Sequence, residues 1–120
     1  MEGIKLIIAV GRDFDDYKLL EKTMTELDFN IKCIISGTAD GADTLGELWA
    51  EEHQIPIKRF PPKWNVYRRR AGPVRNEQMA VYGDYLIAFW DGKSKGTKNM
   101  INTMKRKGKH GRVIFYENNL

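Results

Sequence analysis

Five short apolar runs alternate with four stretches of helical periodicity, and this alternation restricts the architecture more than any other feature of the chain. The runs fall at residues 5–10, 31–36, 57–60, 85–90 and 112–116. The intervening helices are expected over 16–27, 42–53, 73–82 and 97–107. Tyr17, Leu20, Met24 and Leu27 share one stripe of the first, Ala42, Leu45 and Trp49 one of the second, and Met100, Ile101 and Met104 turn inward from the last. Short strands that alternate with helices of this length form βαβ units, whose strands run parallel. The expected fold is an α/β, Rossmann-like, doubly wound sheet of five parallel strands in the order 3-2-1-4-5, with helices on both faces. At 120 residues the chain is expected to form one domain with a single core. Residues 61–72 read as a long loop, Pro73 as the first residue of a helix, Gly108 as a helix stop, and 117–120 as a frayed tail.

In that order the direction of winding reverses beside the first strand. Ligands of open α/β sheets bind at such a point, outside the carboxyl ends of the strands. The strands ending there are each followed by a glycine-bearing loop: Gly11-Arg12-Asp13-Phe14, then Ser36-Gly37-Thr38-Ala39-Asp40-Gly41-Ala42-Asp43, then Asp91-Gly92-Lys93-Ser94-Lys95-Gly96-Thr97. Glycine permits close backbone approach, and a helix N-terminus presents unpaired N–H groups at the positive end of its dipole. Three such loops on one sheet edge suit a nucleotide-like anion.

Each loop residue also has a structural reading. Asp43 caps the second helix or accepts from a ribose hydroxyl. Thr97 is a helix cap or, with Ser94, Gly92 and Gly96, part of a phosphate cradle. Arg75 and Asn76 belong to the first turn of the third expected helix and reach the same edge. Arg75 offers a planar fork to phosphate, or pairs with Glu77 or Asp91. Trp64, Tyr67 and Phe14 are expected to pin their loops, with stacking on a base as the alternative.

Several classes of function are disfavoured. The dinucleotide glycine pattern is absent after the first strand. Gly92-Lys93-Ser94 has Ile87 where a phosphate-binding loop of the Walker type needs glycine. His53 and His110 stand outside any metal-ligand spacing, so neither a metal nor a cofactor is expected. No apolar run is long enough to span a membrane, and Met1-Glu2-Gly3 leads directly into a strand. The single Cys33 lies in an apolar strand, as suits a small buried hydrophobe in a reducing cytoplasm. The net charge of +4 leans toward anionic partners. It gathers at Arg68-Arg69-Arg70 with Arg75, and at residues 105–112, where a helix C-terminus accounts for it.

Together, the stretches Ile8-Ala9-Val10-Gly11-Arg12-Asp13-Phe14, Ile35-Ser36-Gly37-Thr38-Ala39-Asp40-Gly41-Ala42-Asp43, Ala71-Gly72-Pro73-Val74-Arg75-Asn76-Glu77 and Ala88 through Thr97 resemble the SLOG superfamily, in its small single-domain YspA/YpsA-related branch. The resemblance implies a Rossmann-like fold, binding of a nucleotide or nucleotide-derived ligand, and a tendency to pair into homo-oligomers. The 36–43 loop is similar to the glycine motif of the DNA-processing protein A family, which implies single-stranded nucleic acid as a further partner. Arg75 and the 92–97 loop look like the motifs of the Lonely Guy phosphoribohydrolases. That likeness implies hydrolysis of a nucleotide N-glycosidic bond, with Arg75 carried over. The family's catalytic glutamate is replaced by Asn99, so Glu77 and Asp91 become the candidate proton-handling groups. The leading expectation is a sensor, carrier or sequestering protein for an ADP-ribose-like molecule or a nucleoside phosphate. A nucleotide hydrolase and a nucleic-acid binder are the alternatives.

Overall fold

The computed structural model describes residues 3–11, 13–38 and 43–117. Its sheet has five parallel strands in the order β3-β2-β1-β4-β5: β1 Ile4–Val10, β2 Ile31–Ser36, β3 Ile57–Arg59, β4 Tyr85–Trp90 and β5 His110–Phe115. The helices are α1 Tyr17–Thr25, α2 Asp43–Glu52, α3 Trp64–Tyr67, α4 Ala71–Tyr82 and α5 Lys95–Arg106, with a 3-10 turn at Arg68–Arg70. Side chains of a strand alternate between faces, and the two faces carry different cores. Leu6, Ile8, Val10, Ile34, Ile87 and Phe89 meet Leu20 and Met24 of α1 and Trp49 and Ala50 of α2. Ile7, Cys33, Ile35, Leu86 and Ala88 meet Met79 and Ala80 of α4 and Met100, Ile101 and Met104 of α5. This is the expected doubly wound α/β sandwich.

The pairing that sets the functional edge is β1 with β4, in register from Leu6↔Tyr85 to Val10↔Phe89. Above it the Gly11 amide donates to Phe89 O at 3.2 Å, so the first turn leaves the sheet against the end of β4. Phe14 then folds back, 3% exposed, and stacks on Phe89 at 4.7 Å with Tyr116 edge-on at 4.8 Å. Phe14 therefore pins its loop. Helix α1 starts where Asp16 Oδ1 accepts from the Leu19 amide at 3.0 Å.

Several boundaries differ from the sequence expectation. The 61–72 segment contains α3 and the 3-10 turn, which run into α4 two residues before Pro73. Neither α3 nor the turn buries a residue, so no apolar stripe announces them. Pro73 still lies in the first turn of α4, where a missing N–H costs nothing. Helix α5 begins two residues before Thr97, because the Ser94 hydroxyl is its cap and Gly96 is tolerated in an exposed first turn. Gly108, at φ +68°, stops α5, and β5 starts only two residues later, at His110 opposite Tyr85.

Between them, Lys109 closes α4. Its ammonium donates to Ala80 O and Gly83 O at 2.7 Å each and to Val81 O at 3.2 Å. One cation thus satisfies carbonyls that the end of a helix leaves unpaired. Lys109→Met is expected to lower the unfolding free energy by about 1–3 kcal/mol, the cost of stranding such acceptors. Urea titration followed by circular dichroism would show the loss as a lower midpoint at unchanged slope.

Candidate functional site

The site is built where β2, α4 and α5 present their ends to one edge of the sheet. Strand β2 ends at Ser36, 3% exposed, whose hydroxyl donates to Glu47 Oε2 at 2.6 Å and accepts from the Thr38 amide at 3.1 Å. Glu47 belongs to α2. Its other oxygen, Oε1, accepts from Arg59 Nε at 3.1 Å and Nη2 at 2.9 Å. Arg59 arrives because β3 pairs with β2 in the register Ser36↔Arg59. Burial pushes the Glu47 carboxyl up, but the Ser36 hydroxyl and the Arg59 guanidinium outweigh it and hold the group below its ordinary value. The Ser36–Glu47–Arg59 chain fixes the point at which Gly37 and Thr38 turn away from β2. Thr38 follows with φ 55°, the left-handed conformation that non-glycine residues seldom adopt.

Arg75 connects this turn to α4. Its Nη1 donates to Gly37 O, and its Nε donates to Asn76 Oδ1 at 2.9 Å. A Cβ on residue 37 would lie 2.5 Å from Nη1 and 3.0 Å from Cζ, so only glycine lets the guanidinium lie against the turn. Asn76, 4% exposed, passes the connection to α5: its Nδ2 donates to Gly96 O at 3.2 Å and to Asn99 Oδ1 at 2.9 Å. The chain Gly37–Arg75–Asn76–Asn99 therefore links the turns after β2 and β4. Asn99, the position where the resemblance to phosphoribohydrolases would need glutamate, is an acceptor in this chain.

In the turn after β4, Asp91 Oδ1 accepts from the Lys93 and Ser94 amides at 2.8 Å each, and Gly92 provides the required φ of +83°. Ser94 Oγ accepts from the Thr97 amide at 3.5 Å, and Trp90 Nε1 donates to Ser94 O at 3.0 Å. Three amides of the expected cradle are thus already satisfied by Asp91 and Ser94. The Lys95 and Gly96 amides, at the first turn of α5, have no protein acceptor among the described residues. A Cβ on Gly96 would meet nothing within 4 Å, so packing does not explain that glycine.

The remaining expected residues fall elsewhere. Gly11 is buried, and a Cβ there would collide with the Tyr116 hydroxyl, which donates to Asp13 Oδ1 at 2.7 Å. Its glycine makes room for the end of β5. Glu77 is turned to the far end of α5, where it pairs with Lys107 and, at 3.7 Å, with Arg106. The hydrogen bond from Lys107 holds its carboxyl below the ordinary value, and the Ser94 and Lys93 amides do the same for Asp91. Neither carboxylate is paired with Arg75 by a described contact, and neither has the raised pKa of a general acid. Thr97, 5% exposed, is not the helix cap; Ser94 takes that place. Trp64, 57% exposed, does not pin its segment. Arg12, Asp40, Gly41 and Ala42 lie outside the described residues, as does the side chain of Asp43, so the readings placed on them concern positions beyond this description.

Glu47, Arg59 and Tyr116 escaped the sequence reading. A lone helical glutamate looks like a solvated one, and Tyr116 reads as the last residue of the fifth strand, whereas β5 ends at Phe115. Arg59 did leave a trace, because the strand order alone puts the end of β3 beside Ser36.

Two outcomes follow from this geometry. In Gly37→Ala the new methyl displaces the mobile end of Arg75 rather than backbone, so the unfolding free energy should fall by only about 1 kcal/mol. Nuclear magnetic resonance should then report a changed environment for the Arg75 Nε–H. Glu47 has a folded pKa below its unfolded value near 4.5, so its contribution is complete above that value and is lost as pH falls through the lowered one. Glu47→Gln should therefore flatten the acid limb of a stability–pH curve recorded by urea unfolding.

A stretch of 77 residues, 64% of the chain, is 27% identical to the nonribosomal peptide synthetase gliP of Aspergillus fumigatus, and the chain spans only 4% of that protein's length. No solved structure matches the chain. The model of the YspA, cpYpsA-related SLOG family (YAcAr) matches residues 4–67, more than half of the sequence, from β1 through α3. The chain belongs to that family.

Proposed function

We propose that the protein binds a nucleotide or nucleotide-derived ligand, ADP-ribose-like or a nucleoside phosphate, and serves as its sensor, carrier or sequestering protein. The reading is carried by the Gly37–Arg75–Asn76–Asn99 chain, which ties the turn after β2 to the start of α5 through one guanidinium and one side-chain amide. A phosphate bound at this edge would be recognised by Arg75, by the backbone at Gly37 and Thr38, and by the Lys95 and Gly96 amides at the positive end of α5. Family membership supports the same class of ligand, since SLOG proteins are associated with nucleotide binding or processing. Among the described residues no helix is long and apolar enough to cross a membrane. The free, buried Cys33 suits the reducing cytoplasm in which such ligands are found.

Binding without turnover is the favoured form of the activity. Glu47, Glu77 and Asp91 are all held below their ordinary carboxylate values by hydrogen-bond donors, so none of them is the protonated acid that would serve a glycosidic leaving group.

Calorimetry against ADP-ribose, AMP, ADP and cyclic adenine nucleotides should give a saturable heat for at least one of them. Arg75→Ala should weaken it by about ten- to hundred-fold, the worth of a charge-assisted hydrogen bond. Gly96→Ala should leave the fold as stable or up to about 1 kcal/mol more so, yet weaken binding by crowding the helix entrance. Chromatography after incubation should recover the ligand intact. Silence from every ligand would refute the proposal, and product formation would move the protein among the hydrolases.

A further inference from the structure

The chain's positive charge has an uneven distribution that the crevice does not use. Between Glu52 and Glu77 stand seven lysines and arginines and no carboxylate, whereas the whole chain has 20 basic and 16 acidic residues, leaving 13 against 16 elsewhere. Two members of that stretch are engaged, Arg59 with Glu47 and Arg75 with Gly37. Lys58, Lys63, Arg68, Arg69 and Arg70 form no ion pair among the described residues. The second basic cluster behaves differently. Arg106 and Lys107 pair with Glu77, and Lys109 closes α4. One cluster serves the fold; the other faces solvent.

The segment that holds these cations is also apolar where it should not be. No residue from 51 to 70 is buried, and α3 displays Trp64 at 57% and Val66 at 65% exposure beside the three arginines. The break between α3 and the 3-10 turn is made by Arg68 at φ 55° and ψ −125°, a conformation favoured by glycine. An arginine held there, one turn of chain after a mostly exposed indole, is hard to explain by packing.

We infer that the surface running from the end of β3 through α3 to the 3-10 turn binds single-stranded nucleic acid, with Trp64 stacked on a base and Lys58, Lys63, Arg68, Arg69 and Arg70 along the phosphates. An exposed aromatic ring among cations without carboxylate partners supplies the elements of such surfaces, where stacking tolerates any base and the cations follow the backbone; Lys58, which also lies over the Phe60 and Tyr82 rings at 5.6 and 5.9 Å, stands at its edge. A duplex is a poorer fit, because α3 has only four residues and cannot fill a major groove. A membrane is a poorer fit as well, since two exposed apolar side chains do not make the long apolar face of an interfacial helix. The surface uses none of Gly37, Arg75, Asn76, Lys95 and Gly96, on which the small-ligand proposal rests.

Fluorescence anisotropy of a labelled oligothymidylate of about a dozen nucleotides tests the inference. The observed affinity should fall with salt, with a log–log slope approaching about −3.5 if all five cations each neutralise a phosphate at about −0.7 per contact. The double variant Arg69→Gln/Arg70→Gln should make that slope shallower by about 1.4. Trp64→Ala should weaken binding by roughly five- to hundred-fold, and Trp64→Phe should recover most of it. All variants should keep the parent's circular dichroism, because neither α3 nor the turn contributes to the core. The inference is overturned if the oligonucleotide fails to bind at low salt or if Trp64→Ala binds it unchanged. It is equally overturned if anionic phosphatidylserine vesicles bind through Trp64 while the oligonucleotide does not.

Discussion

Everything at the functional edge depends on the pairing of β1 with β4. These strands are separated in sequence by two complete βα units, yet they lie side by side in register from Leu6↔Tyr85 to Val10↔Phe89. Their junction is where the winding reverses, with β2 and β3 on one side and β5 on the other. No helix closes over the reversal, because the crossovers on either side leave in opposite directions. The α4 and α5 ends that lie over the edge are positioned by the core beneath them. Met79 and Ala80 of α4 and Met100, Ile101 and Met104 of α5 share one apolar cluster with Ile7, Leu86 and Ala88. That shared burial holds Asn76 at hydrogen-bonding distance from Asn99, and so brings Arg75 to Gly37.

The polar network above this core is economical in its use of charge. Two described carboxylates at the edge have dedicated donors: Glu47 has Ser36 and Arg59, and Asp91 has two backbone amides. Partly buried groups satisfied in this way rigidify a turn and stay ionised. Arg75 is treated differently. Its Nη1 and Nε donate to the backbone oxygen of Gly37 and the amide oxygen of Asn76. The guanidinium thus serves as a bridge between the turn after β2 and the neighbouring Asn76 of α4.

How far the sequence could be read is explained by the range of the interactions involved. The strand order and the two faces were legible because alternation and helical stripes are local signals, repeated in every unit. Glycine positions were legible as well, but their reasons were not uniform. Gly37 answers to Arg75, whereas Gly11 answers to Tyr116, about a hundred residues away. Helix α3 was invisible because it buries nothing, and the start of α5 was misplaced because Ser94, not Thr97, is the cap. Glu77 looked like a crevice carboxylate from its neighbour Asn76. Successive helical residues point about a quarter-turn apart, and Glu77 meets Lys107 and Arg106 instead. Contacts such as Ser36 with Glu47 depend on three elements meeting, which no local pattern records.

The central claim is that the turns after β2 and β4 form a single ligand-binding edge joined through α4. Titration of isotopically labelled protein with ADP-ribose, followed by amide nuclear magnetic resonance, tests it most directly. The account expects the largest shifts together at Gly37, Thr38, Arg75, Lys95 and Gly96, saturating with one dissociation constant. Shifts confined to one of the two turns, or centred on a different face of the sheet, would contradict it.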